Sequence, residues 1–197
     1  PLIFGKAFHE VLANAYKKRE WTESRLLDLW KPFFDKELAE VTSWERESPD
    51  LFEIKDSLSW GRRLISRFIS GFPHLLVPPL TDSQGDWVET EFSLDIAGMK
   101  IVGFIDLVIP SESGPVLIDW KTGKKLPQER VIGVSDFDDQ LELYSLVMRF
   151  LGVRVSEMKD VFPVVGTEIV RKPSRDGYER QRNRVSRAVK MIQAYED

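Results

Sequence analysis

Two acids and a lysine stand where a sheet is expected to break into loops. Asp106 interrupts the apolar run Val102-Gly103-Phe104-Ile105-Asp106-Leu107-Val108-Ile109. A carboxylate inside a buried strand is costly unless it is paired or holds a metal. Beyond the turn residues Ser111 to Pro115 comes Ile118-Asp119-Trp120-Lys121. Side chains two apart on a strand share a face. Asp119 and Lys121 are therefore expected to point one way, and Ile118 and Trp120 into packing. If the two strands pair through the 110–115 turn, Asp106 sits beside Asp119. Two carboxylates and an ammonium on one sheet edge suit a hard divalent cation such as Mg²⁺, which takes oxygen ligands and substrate phosphate. The ammonium can orient an attacking water, or accept its proton if desolvation lowers its pKa. The bland alternatives are an Asp106 paired with an arginine and a Lys121-Thr122-Gly123 that is only a strand end and turn.

The elements that must carry these residues follow from periodicity. Phe4, Phe8, Val11, Leu12 and Ala15 recur at helical steps and predict a helix over 4–20. Thr22 is an expected N-cap for a second helix to about residue 40, with Pro32 a kink or break in it. A third helix is expected over 51–70, stopped by Gly71 and Pro73. Residues 87–96 then alternate, with Phe92, Leu94 and Ile96 on one face and Glu91, Ser93 and Asp95 on the other. Residues 99–109 are apolar on both faces apart from Lys100 and Asp106, the pattern of a central strand. Val116–Lys121 gives a third strand. A helix over 136–150, a short strand over 161–165 with 166–171 as a pairing candidate, and a basic helix over 179–195 complete the order. That order is a mixed α/β sandwich.

Composition sets the bounds. The 197 residues suit one domain, or one with a helical insertion, and 42% apolar with 30% charged residues is globular, not disordered. No apolar run approaches the ~20 residues that cross a bilayer, so no membrane partner is expected. No secretory leader pattern is visible. With no Cys there is no disulfide, no thiolate metal site and no Cys nucleophile in this stretch. That fits a reducing compartment, so the expected location is cytoplasmic or nucleoid-associated. The chain opens Pro-Leu-Ile without Met, and a trimmed fragment is expected. Net charge is −4, yet residues 171–190 carry +6, leaving −10 on the rest. A basic segment on an acidic body is either a footprint for phosphates or a solvated helix face. No G-x-x-x-x-G-K-[ST] is present, so no ATP loop is expected.

Four elements in order then carry a resemblance. They are Gly5-Lys6-Ala7-Phe8-His9, Gly103-Phe104-Ile105-Asp106, Asp119-Trp120-Lys121-Thr122 and Gln140-Leu141-Glu142-Leu143-Tyr144. Together they resemble the PD-(D/E)XK nuclease superfamily. The Gly-x-x-x-His and Gln-x-x-x-Tyr elements resemble its RecB-like branch, shared by helicase-linked exonucleases and CRISPR-associated RecB-like nucleases.

The resemblance implies a restriction-endonuclease-like α/β domain over 1–197, with a helical insertion at about 22–80. It implies that Asp106, Asp119 and the backbone carbonyl of Trp120 ligate Mg²⁺ or Mn²⁺, and that His9 completes the shell or touches the water held there. Lys121 would position the attacking water. Gln140 and Tyr144, four apart on one helix face, would steady the Lys121 region and contact a substrate phosphate. Glu91 would be an extra metal group or a support to one. The implied function is metal-dependent hydrolysis of DNA, as an exonuclease on single-stranded ends, in repair, recombination or CRISPR-type processing. The insertion and the basic helix would line the strand's channel, and a helicase, recombination or CRISPR protein would be a partner. Many RecB-like nucleases hold an iron–sulfur cluster through four cysteines; this stretch supports none. The alternative is a nuclease-fold module that binds DNA or docks on a helicase without cutting. Read singly, His9, Gln140 and Tyr144 could be ordinary helix residues, Trp30, Trp44, Trp60 and Trp120 packing, and Phe68, Phe72 and Trp87 packing or base-stacking groups.

Overall fold

In the computed structural model residues 2–40, 54–83, 85–96, 99–123 and 136–196 are described. Chain contacts divide it into two compact units. The first holds Pro1–Pro79, Trp120–Leu126 and Val161–Glu168; the second holds Leu80–Asp119, Pro127–Asp160 and Ile169–Asp197.

The first unit is helical, as the periodicity predicts. Helix α1, Leu2–Lys18, buries Phe4, Ala7, Phe8, Val11, Leu12 and Ala15 along one stripe. Tyr16 at its end is buried, and its hydroxyl donates to the Leu75 carbonyl at 2.7 Å. Helix α2, Glu23–Ala39, begins at the expected cap: Thr22 is extended and its side chain accepts from the Arg25 N–H at 3.3 Å. The break expected at Pro32 does not occur, and α2 runs through it. Trp30 and Phe34, one on each side of Pro32, are both buried and anchor the helix across the missing N–H. Helix α3, Ile54–Gly71, meets α2 closely: a Cβ at Gly61 would fall 1.9 Å from the Trp30 ring. A 3₁₀ turn at Pro73–Leu75 follows. The first three residues of the 51–70 expectation, and Trp44, lie outside the described residues.

Beyond Pro79 the chain continues with the two-residue strands β1, Thr81–Asp82, and β2, Gly85–Asp86. Then come β3, Val88–Ile96, β4, Met99–Ile109, and β5, Val116–Trp120. Helix α4, Asp136–Phe150, precedes β6, Glu157–Phe162, and β7, Thr167–Arg171. Helix α5, Arg175–Glu196, ends the chain. The larger sheet has the order β3-β4-β5-β6-β7. Strands β3 and β4 pair antiparallel, with Phe92 opposite Gly103. A Cβ at Gly103 would lie 2.6 Å from the Phe92 ring, so that ring needs the glycine. Strand β5 pairs antiparallel with the far end of β4. The core joins Phe92, Ile105, Val108 and Leu117 to Leu141, Val147 and Met148 of α4. Burying each such side chain is worth about 1.5–3 kcal/mol.

Three expectations shift. β4 is central by pairing but not sealed on both faces, since Val102 and Phe104 are 60% and 54% exposed. The strand expected at 161–165 is Glu157–Phe162, because Asp160 is buried against Arg171 and extends the strand backwards. The last helix begins at Arg175, four residues early, where the Ser174 hydroxyl accepts from the Gly177 N–H at 2.9 Å. No described helix is long and apolar enough to cross a membrane.

Candidate active site

Three strands of the second unit set three acids in one row. Val88 faces Leu107 and Thr90 faces Ile105, so Glu89 falls opposite Asp106. Leu107 faces Ile118, and continuing that register by one residue sets Asp119 opposite Asp106. Directly opposed residues of an antiparallel pair have Cβ atoms about 4.5–5.5 Å apart. Carboxylate oxygens of Glu89 and Asp106 indeed lie within 4.8 Å of each other. Asp106 is 9% exposed and Asp119 3%. Like charges held face to face and away from water repel, and a cation among them offsets that cost. Hard oxygen donors of this kind suit Mg²⁺ and Mn²⁺. The donor set therefore fits the cation that the sequence implied.

Helix α4 brings Tyr144 to these acids. Burial first, and then the negative charges of Asp119, Asp106 and Glu89, raise the Tyr144 hydroxyl above the usual tyrosine range, and a Gln140 hydrogen bond partly offsets this. The Gln140 Nε2 donates to that hydroxyl at 3.0 Å. Gln140 and Tyr144 thus share a helix face, as their spacing predicts. The Tyr144 ring meets Phe92 edge-on, with centroids 5.7 Å apart. A neutral phenol and an amide beside three carboxylates can present hydrogen-bond donors to an anion.

Other candidate residues lie in the first unit. His9 Nε2 lies 3.1 Å from the Trp120 carbonyl oxygen. Two ligands at right angles and about 2.1 Å from one Mg²⁺ would stand about 3.0 Å apart, so this pair has the spacing of neighbouring octahedral ligands. The Trp120 ring stacks on Tyr16 at 6.2 Å and meets Phe68 edge-on at 5.4 Å, which pins the carbonyl. The Lys121 N–H donates to the Val161 carbonyl at 2.8 Å, and its side chain is part-exposed. Gly5 explains its own place: a Cβ there would stand 2.9 Å from the Thr122 hydroxyl. Small size at residue 5 lets α1 lie against the segment that follows Lys121.

A model of the PD-(D/E)XK nuclease superfamily matches residues 1–195. The chain belongs to that superfamily. No curated protein matches it. The five-stranded sheet with its helices is consistent with the restriction-endonuclease-like PD-(D/E)XK fold. PD-(D/E)XK proteins are metal-dependent nucleases, and the acid row offers the donors such chemistry uses.

Sequence reasoning missed Glu89 and chose Glu91 instead. Glu91 is exposed and sits opposite Phe104, while Glu89 lies in the acid row. Glu89 has φ +46°, a left-handed backbone that a strand pattern does not reveal. Its nearness to Asp106 in the pairing register was the one available signal. Phe68, Phe72 and Trp87 are buried packing groups, not base-stacking ones.

Proposed function

We propose that this PD-(D/E)XK protein hydrolyses phosphodiester bonds in DNA as an exonuclease of the RecB-like type, acting on single-stranded ends. The observation that carries the reading is the row Glu89–Asp106–Asp119 with Tyr144 and Gln140 beside it. Glu89, Asp106 and Asp119 would hold Mg²⁺ or Mn²⁺, with His9 and the Trp120 carbonyl as the further ligands that the resemblance implies. The cation would neutralise charge developing on the phosphoryl oxygens.

The chain's own groups do the rest. Lys121, two residues after Asp119, orients the attacking water. The water oxygen attacks phosphorus in line and gives up a proton to solvent, the bond from phosphorus to the leaving sugar oxygen breaks, and that oxygen takes a proton from solvent. Tyr144 and Gln140 donate to a phosphate oxygen and hold the strand in register, a preorganised contact that needs no reorganisation during reaction. Phe104 lies two residues from Asp106 on the same strand, about 6.8 Å along it. Its exposed ring suits stacking on an unpaired base, which supports a single-stranded substrate. A partner that unwinds duplex, such as a helicase in repair, recombination or CRISPR-type processing, would supply that strand.

The test is cleavage of 5′- and 3′-labelled single- and double-stranded DNA with Mg²⁺, with Mn²⁺ and with chelator. Lys121→Ala and Asp119→Ala run beside the wild type. Metal-dependent shortening from one end, abolished by both substitutions and faster on single strands, is expected. DNA retention without cleavage under any metal would replace this reading with a non-cutting binding module.

A further inference from the structure

A basic site lies in the second unit, away from the acid row. A pocket of about 570 Å³ is lined by Arg149, Arg154, Arg175, Arg182, Tyr178 and Glu179, among others. Arg149 is five residues beyond Tyr144 on α4, about 7.5 Å along the helix and about 140° round it. The pocket therefore opens from a different helix face.

Its charge is one-sided. Among the described residues Glu179 is the one acid lining it, and that carboxylate is hydrogen-bonded to Arg175 at 3.1 Å. Arg149 lies over the Tyr178 ring, 5.3 Å from its centroid, and the Tyr178 hydroxyl meets Ser145 at 3.0 Å. That ring holds one guanidinium in place by cation–π attraction. Arg154 and Arg182 have no acid partner among the described residues. With Arg175 paired to Glu179, three guanidinium groups remain around the cavity without an acid partner among the described residues. They suit an anion, and planar guanidinium groups match phosphate oxygens two at a time.

The basic character does not stop at the pocket. Arg187 and Lys190 add two exposed cations further along α5, about 140° and 80° round the helix from Arg182. The whole chain carries −4, so the concentration of positive charge here is local. Exposed cations on more than one side of the helix beyond the pocket fit a polyanion better than a single free phosphate.

We propose that this pocket is a subsite for a backbone phosphate of the DNA strand, remote from the phosphate that is cleaved. The proposal rests on the nuclease reading for the identity of its polyanion. Arg154 and Arg182 clasp the phosphate, Arg149 is held ready by Tyr178, and the α5 cations carry the strand onward. Binding here positions the strand without touching the reacting atoms.

The experiment is anisotropy of a labelled 15-nucleotide single strand in chelator, from 50 to 300 mM salt. It compares wild type, Arg154→Ala/Arg182→Ala and Arg154→Lys/Arg182→Lys. Each lost contact to a single strand should flatten the slope of log affinity against log salt by about 0.7, hence by about 1.4 for two. At 0.1 M salt that corresponds to roughly 25-fold weaker binding for the alanine pair. The lysine pair, which keeps the charges, should hold most of the slope. Calorimetry with inorganic phosphate alone supplies the other arm. An alanine pair that binds the strand with wild-type affinity and slope overturns the proposal, as does a wild type that binds no strand. Tight binding of inorganic phosphate with strand binding unaffected by the alanine pair would make this a free-anion pocket and also overturn it. Strand binding lost in the alanine pair, with no cleavage by wild type under any metal, would uphold the subsite and sink the nuclease reading instead.

Discussion

Gly5→Ala should cost activity far more than stability. Helix α1 places residue 5 against Thr122, and an added Cβ would lie 2.9 Å from the Thr122 hydroxyl, where ordinary contact begins at 3.4 Å. The two segments must part by about half an ångström, since the β-branched Thr122 has few other rotamers. Overpacking of this kind costs about 1–3 kcal/mol. Replacing a helical glycine by alanine returns up to about 1 kcal/mol. The net loss is about 0–3 kcal/mol, and a chain of this size melts about 2–4 °C lower per kcal/mol. The same shift moves α1, and with it His9, from its 3.1 Å contact with the Trp120 carbonyl. A misplacement of 1 Å at a reacting centre can cost about 100-fold in rate, so half of that should cost about 10-fold. Thermal melts and initial cleavage rates measure both quantities. Thr122→Ala removes the opposing oxygen, so Gly5→Ala/Thr122→Ala should recover most of the rate, a positive coupling in the double-mutant cycle. A Gly5→Ala protein that melts higher and cuts at the wild-type rate would refute the argument that residue 5 sets this approach.

Other consequences are checked by simpler means. Phe104→Ala should raise KM for single-stranded DNA severalfold with little change in melting temperature, because its ring is exposed; an unchanged KM would remove its stacking role. The Tyr16 hydroxyl titrates far above the ordinary range because of burial, and Tyr144 is raised too. Raised folded values mean that their stabilising contribution is complete below the unfolded pKa of about 10 and is lost as pH rises through the folded values. Melting temperature should therefore fall above about pH 10, and less steeply in Tyr16→Phe; equal alkaline slopes would count against this. Arg171→Ala should cost about 3–5 kcal/mol, since it strips the guanidinium from the fully buried Asp160. Lys31→Ala, at the exposed Lys31–Asp35 pair, should cost well under about 1 kcal/mol in the same denaturant titration.

The parts of the site that obey simple periodicity could be read from residues alone. A period of two put Asp119 on a strand and out of phase with Ile118 and Trp120, and the turn after Ile109 implied the antiparallel pairing that sets it opposite Asp106. A spacing of four joined Gln140 to Tyr144, and their hydrogen bond follows. Glu89 was hidden because its positive φ is a property of the backbone, not of residue order. Asp160 fell outside the strand expected at 161–165 because its partner Arg171 lies eleven positions on, across another turn. Pro32 looked like a break because propensity does not register the burial of Trp30 and Phe34 around it. The exposure of Phe104 was equally invisible, since a strand apolar on both sides normally signals a covered one. For Asp160 and Pro32 a tertiary partner overrode a local rule.

The central claim is that Glu89, Asp106 and Asp119 form one cation-holding row. Calorimetric titration of Mn²⁺ into wild type, Glu89→Gln, Asp106→Asn and Asp119→Asn tests it without reference to turnover. The account predicts a single class of sites in the wild type, weakened at least about tenfold by each substitution, with Glu91→Gln as a control that binds as wild type does. Unchanged Mn²⁺ affinity in all three row variants, or a loss in Glu91→Gln and none in Glu89→Gln, would contradict it.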